Sequence, residues 1–206
     1  MEIKNKNFCI ILSSPSGAGK TSLSKKILQK DKSIRLSISC TTRPKRKGEI
    51  NNKDYLFISE DSFKKKIKTN SFLEHALVFG HRYGTLKESV EKLFDKKKDV
   101  LFDIDWQGYQ QLKQSGYNVV GIFILPPNKK ELKKRLRNRG RDTADEMEKR
   151  MKLAKDEISH FPEYDYVVIN KDLNKCTSQI LNIINSERLK KSNQLNLTKF
   201  VNTFRD

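Results

Sequence analysis

The sequence has 206 residues, 35% hydrophobic and 33% charged, and its 43 basic against 25 acidic residues leave a net charge of +18. At ~150 residues per domain this predicts one domain, or one with an insertion, long enough to bury a core without disulfides or metals. No apolar run approaches the ~20 residues of a membrane span, the N-terminus lacks a secretory pattern, and Cys9, Cys40 and Cys176 have neither disulfide-framework nor zinc-site spacing. A reducing cytoplasm is the expected compartment, with no membrane partner. The charge is mostly lysine spread along the whole chain, beside frequent Asn and Ile. Codon composition suffices to explain it, so it assigns no specific nucleic-acid partner.

In chain order, the apolar run Phe8 to Leu12 reads as a buried strand that ends in Ser13-Ser14-Pro15-Ser16-Gly17-Ala18-Gly19-Lys20-Thr21. Leu23, Ile27 and Leu28 then keep helical spacing to about Lys30. Residues 34–85 break the pattern with short alternating pieces (Arg35 to Cys40, Tyr55 to Ile58, Leu77 to Tyr83) around a helix near Asp61 to Lys68. Thr85-x-x-Glu88 predicts a capping box for a helix over Leu86 to Lys96. Strands follow at Val100 to Ile104, Val119 to Leu125 and Tyr166 to Ile169. Asp105, Asn128, Thr143 and Asp172 are each placed to open a helix between or after them. The expected fold is α/β: a doubly wound parallel sheet of the P-loop NTPase type. The single domain spans 1–190, with a core of 1–33, 86–128 and 157–190. A small mixed insertion covers 34–85, a helical segment about 129–156, and a polar tail 191–206.

Ser14-x-x-x-x-Gly19-Lys20-Thr21 fits the phosphate-binding loop except at its first position, where glycine is usual. Gly17 and Gly19 let backbone N–H groups curl around phosphate oxygens, and the following helix points its positive end at them. Lys20 can reach the terminal phosphates and Thr21 can ligate Mg²⁺. Ser14 is accommodated provided that its φ stays negative. Asp103 and Asp105 follow the apolar residues Val100 to Phe102, at the carboxyl end of the strand, where doubly wound folds bind ligands. Either carboxylate can hold Mg²⁺ or its waters, and the sequence does not divide their roles.

Further motifs occur in one order: Ser39-x-Thr41-Thr42-Arg43-x-x-Arg46-x-Gly48-Glu49, Asp54-Tyr55, Phe72-Leu73-Glu74, Tyr83-Gly84 and Asp103-Ile104-Asp105-Trp106-Gln107-Gly108. With the phosphate loop they resemble the guanylate kinase family from about Phe8 to Ile184. The resemblance implies transfer of phosphate from ATP to GMP, and to dGMP, with Mg²⁺ as cofactor and either a monomer or a homodimer. It implies that Arg43, Arg46, Tyr55 and Tyr83 hold the GMP phosphate. Ser39 and Glu74 read guanine, while Thr85 and Asp105 lie near GMP. Ser14, Pro15, Ser16, Gly17, Ala18, Gly19, Lys20, Thr21 and Ser22 bind ATP, and Asn170 sits near adenine. Residues 129–156 become a lid, with Arg135, Arg139 and Arg150 acting in catalysis beside Lys20 and Arg43. Thr21 and Asp103 become the Mg²⁺ positions. The residue chemistry agrees, because guanidinium forks bind phosphate directionally where lysine cannot, and only 11 of the 43 basic residues are arginine. A catalytically inactive guanylate-kinase-like interaction module is the alternative. Intact Lys20, Arg43 and Arg46 oppose it. His75, His81 and His160 show no ligand spacing.

Overall fold

A computed structural model describes residues 3–78, 80–137 and 144–205. The chain starts with a short strand, β1 (Lys4–Asn5), then β2 (Cys9–Ser13), helix α1 (Lys20–Lys30) and β3 (Ile34–Leu36). Next come β4 (Cys40–Thr41), β5 (Leu56–Phe57), α2 (Glu60–Lys68), β6 (Phe72–Val78) and β7 (His81–Leu86). The second half runs α3 (Lys87–Asp95), β8 (Asp99–Asp103), α4 (Trp106–Lys113), β9 (Val119–Leu125), α5 (Lys129–Arg137), α6 (Ala144–Ser159) and β10 (Tyr166–Ile169). It closes with α7 (Leu173–Leu189), β11 (Gln194–Leu195) and α8 (Leu197–Asn202).

The main sheet has five strands in the order β10-β9-β2-β8-β3, and every pair in it is parallel. Alternation along β2 explains why helices cover both faces. Ile10 and Leu12 pack with Leu23 and Ile27 of α1 and Ile180 and Ile184 of α7. Cys9 and Ile11 pack with Val90 of α3 and Tyr109 and Leu112 of α4 on the other side. Each such fully buried aliphatic side chain contributes about 1.5–3 kcal/mol relative to exposure. Because the connection out of β2 runs toward β3 and the one out of β8 crosses to β9 on the other side of β2, the crevice opens at the carboxyl ends of β2 and β8.

A second sheet, β5-β4-β7-β6, mixes parallel and antiparallel pairs. It has its own core of Cys40, Phe63 and Phe72, with Leu56, Ile58, Ile67 and Leu86 packed against it. Its join to the main body is apolar as well as polar: Leu73 of β6 is buried with Val90, Tyr109 and Leu112. The Gln111 side chain accepts the His75 N–H at 3.0 Å and donates to the His75 carbonyl at 2.8 Å, pinning β6 to α4.

Several expectations are corrected. Ile34–Leu36 is not part of the inserted segment. It pairs with β8 as the edge of the parallel sheet, because its one fully buried residue, Ile34, joins the core of β2 and α1. The piece expected at Leu77 to Tyr83 is a hairpin of two longer strands. Thr85 does not cap a helix. It lies in β7, fully buried, and α3 begins after Leu86 without a side-chain cap. The boundary drawn between 156 and 157 falls inside α6, which continues to Ser159 before the turn containing Pro162. The tail is more than polar chain: β11 pairs with β1, and Asn193 is buried, donating to the Glu187 carbonyl. Asp105, Asn128 and Asp172 do accept the N–H groups of the helices they precede. Thr143 lies outside the described residues.

Candidate active site

The loop after β2 is shaped by its glycines. Gly17 and Gly19 have φ of +90° and +101°, conformations that L side chains avoid. At Gly19 a Cβ would also collide with the Asn170 amide, whose Nδ2 donates to the Ala18 carbonyl at 2.8 Å. Ser14 stays out of the left-handed region, so serine is tolerated at this position. Lys20, at the start of α1, pairs with Asp103 Oδ1 at 2.6 Å and donates to the Ile104 carbonyl at 3.1 Å. The lysine head is thereby fixed at the carboxyl end of β8. Thr21 and Ser22 are exposed on the first turn of α1, and Thr21 lines the cleft described next.

A cleft of about 310 Å³ runs between this loop and the second sheet. Ser14 to Gly17, Gly19, Lys20, Thr21, Asp103 and Asp105 form one wall, and Ser39, Arg46, Tyr55, Glu74 and Tyr83 the other. Glu74 is the unusual member. A bulge between Phe72 and Glu74 shifts the β6 register and re-aims the side chain. Gly108 of α4 makes room for it, since a Cβ there would stand 2.7 Å from Glu74 Oε2. The carboxyl is buried and its Oε1 has no hydrogen-bond partner. Burial pushes its pKa up to about 7; Asp105 adds to the rise, and hydrogen bonds from Thr85 oppose it. Thr85 also approaches Ser39, hydroxyl to hydroxyl, at 3.5 Å.

The arginines are placed unevenly. Arg46 is exposed on the cleft rim. Arg43 does not line the cleft. It grips Glu49 through two bonds of 2.7 and 3.1 Å and lies over the Tyr55 ring. Arg135 faces the back of the phosphate loop, donating to the Ala18 and Asn170 carbonyls and pairing with Glu131. Arg150 is half-buried on α6, and Arg139 lies outside the described residues. Asn170, just after β10, is buried against the loop rather than lining the cleft.

Two acidic residues went unassigned in the sequence. Glu49 orients Arg43 and also accepts the Arg46 backbone N–H at 2.7 Å. Glu157 lines the cleft from α6. Its signal was a carboxylate continuing the buried face of Met147 and Ala154, visible only once the helix period is followed past Arg150.

A parallel sheet with a glycine loop after its central strand and an acidic strand end beside that loop defines an α/β protein built around a phosphate loop. A family model described as guanylate kinase matches residues 6–187. A guanylate kinase from Sphingopyxis alaskensis is 49% identical over 201 residues, covering 97% of this chain and 91% of its own. One from Rickettsia prowazekii is 50% identical over 190 residues, covering 92% and 96%. The crystal structure of guanylate kinase from Anaplasma phagocytophilum matches with a TM-score of 0.81 at 34% identity, covering 97% and 96% of the two chains. The chain belongs to the guanylate kinase family.

Proposed function

We infer that the chain is an ATP:GMP phosphotransferase and that the cleft between the phosphate loop and the second sheet is where it acts. The observation that carries the site assignment is the placement of the phosphate loop and the buried, half-unpartnered Glu74 on opposite walls of one cleft. Guanine presents N1–H and N2–H₂ as adjacent donors, which a carboxylate accepts. Adenine presents a lone pair at the corresponding N1. Ser39 lies beside Thr85 to add a hydroxyl toward O6. Arg46, Tyr55 and Tyr83 hold the GMP phosphate, and Arg43 joins them by sharing its guanidinium between Glu49 and the phosphate. Ser14 to Ser22 hold the ATP phosphates. Helices α5 and α6 serve as the lid, bringing Arg135, Arg139 and Arg150 to the transferring group, and Asn170 braces the loop near the adenine.

In the reaction a GMP phosphate oxygen attacks the γ-phosphorus, and the bond to the ADP oxygen breaks. No protein nucleophile is needed. Lys20, already fixed by Asp103 and Ile104, neutralises charge on the phosphates. Thr21 and Asp103 are hard oxygen donors at the loop, a set that suits Mg²⁺ held through waters and nucleotide. Bound there, the ion supplies further charge neutralisation. Closure of the lid excludes water, the competing acceptor.

The test is a coupled assay with ATP and each of GMP, AMP, UMP and CMP. Turnover is expected with GMP, and Lys20→Ala should lower kcat by at least ~10²-fold, the usual cost of losing one charge-stabilising donor. Its melting temperature should stay close to wild type, because Lys20 is only half-buried. Wild-type turnover in a folded Lys20→Ala rules out this mechanism.

A further inference from the structure

Glu157 reaches from α6 into the phosphate loop, where its Oε2 accepts the Ser16 backbone N–H at 3.0 Å. It lines the cleft together with Lys20, Asp103 and Asp105. In a loop of this kind a backbone N–H serves to receive an anionic phosphate oxygen. Here an anionic oxygen from the chain's own helix holds it. A carboxylate and a phosphate compete for that N–H and repel each other across the same few ångströms.

We propose that Glu157 is a displaceable stand-in for nucleotide phosphate: it ties α6 to the loop through Ser16, and the phosphates of ATP or ADP must expel it, which lowers nucleotide affinity and speeds ADP release. The proposal rests on residues 14–21 being the ATP loop. Its consequence is mechanical. The apolar side of α6 is anchored on Leu132 and Leu136 of α5, and Arg150 lies two turns before Glu157 on the same helix. Expelling Glu157 frees the Arg150-bearing helix at the moment when phosphates reach the loop. Among the described residues, the charges facing Glu157 include Lys20 from α1, Asp105 ahead of α4 and Asp156 beside it, with Tyr164 ahead of β10. Burial holds the Glu157 carboxyl above the ordinary carboxylate range; the Ser16 N–H and Lys20 oppose that rise, while Asp105 and Asp156 add to it. Protonation therefore removes the competitor at a higher pH than for a solvated glutamate.

The experiment is calorimetric binding of ADP to wild type, Glu157→Gln and Lys20→Ala, with kcat and KM for ATP. Glu157→Gln should bind ADP roughly tenfold tighter, as expected for removal of one like charge from a partly desolvated site. Its kcat and KM for ATP should fall together as release slows. Structural damage alone moves binding the other way. The affinity gap between the two proteins should narrow as pH falls and Glu157 in the wild type takes its proton. Unchanged or weaker ADP binding by Glu157→Gln, with Lys20→Ala impaired, overturns the stand-in role and leaves the ATP loop intact. Unimpaired binding by Lys20→Ala overturns the loop reading itself. A measurement on the unmodified protein guards against a variant that does not fold: carboxyl ¹³C titration of Glu157 with and without ADP. Expulsion into solvent moves its pKa down toward the ordinary range. A pKa moved up by ADP means that the carboxylate stays beside the phosphates, and the proposal fails.

Discussion

In the function proposed above, Glu74 carries base recognition in one side chain. The residue is 3% exposed, and burial, which disfavours the charge, pushes its carboxyl pKa up to about 7. An acid raised in this way binds its proton more tightly folded than unfolded. The stability it contributes is fully present below the ordinary glutamate pKa and is lost as pH rises through about 7. Guanine donors favour the ionised form, so GMP binding should drive the proton off. About one proton is expected to leave per GMP bound at pH 6, and almost none at pH 8. Calorimetry in buffers of different ionisation enthalpy reads this directly, and a buffer-independent heat at pH 6 contradicts it. Glu74→Gln should lower the proton release at pH 6 by about one per GMP, leaving only what the phosphate itself gives up, and cost about 2–4 kcal/mol in kcat/KM for GMP, from losing a charge-assisted pair. An unchanged GMP-to-AMP ratio would assign base reading to another residue.

At the level of elements, the phosphate loop depends on its neighbours as much as on its own residues. Gly19→Ala places a β-carbon at a left-handed φ and against Asn170. The strained backbone alone costs about 1–3 kcal/mol, and the Asn170 brace on Ala18 must also move. A lower melting temperature and loss of ATP binding are both expected; a variant with wild-type melting and affinity would show that the brace is dispensable. The sequence revealed this loop because glycine at fixed offsets between an apolar run and a helical pattern has few other uses. It misread Thr85. A Thr-x-x-Glu spacing fits a capping box, but the threonine is drawn into β7 by pairing with β6, where it stands opposite Glu74. Long-range pairing overrides a local cap of about 1 kcal/mol.

For the molecule as a whole, the two walls of the cleft belong to different sheets, which meet where Leu73 of β6 enters the main core. They are joined by side-chain contacts, the Leu73 packing and the Gln111 clamp among them, rather than by shared strands. Such a joint bends more readily than either core. A bisubstrate analogue linking adenosine and guanosine through phosphates should therefore compact the protein more than ATP or GMP alone. Small-angle scattering measures this, and superimposable profiles with and without the analogue would exclude closure.

The sequence by itself determined the parallel core, the phosphate loop, the carboxylates at the end of β8 and the order of the family motifs. These are written in local patterns: apolar runs of strand length, helical spacing, and glycines where only glycine fits. Tertiary structure alone decided which edge β3 joins, where the carboxylate of Glu74 points and how far its pKa rises. It also decided that Arg43 and Arg135 turn to Glu49 and to loop carbonyls, and that Glu157 reaches Ser16. Each of these depends on contacts between residues far apart in the chain, such as Ser16 with Glu157 and Gly108 with Glu74. Burial, charge proximity and close approach are properties of the packed whole, so no window of the sequence carries them.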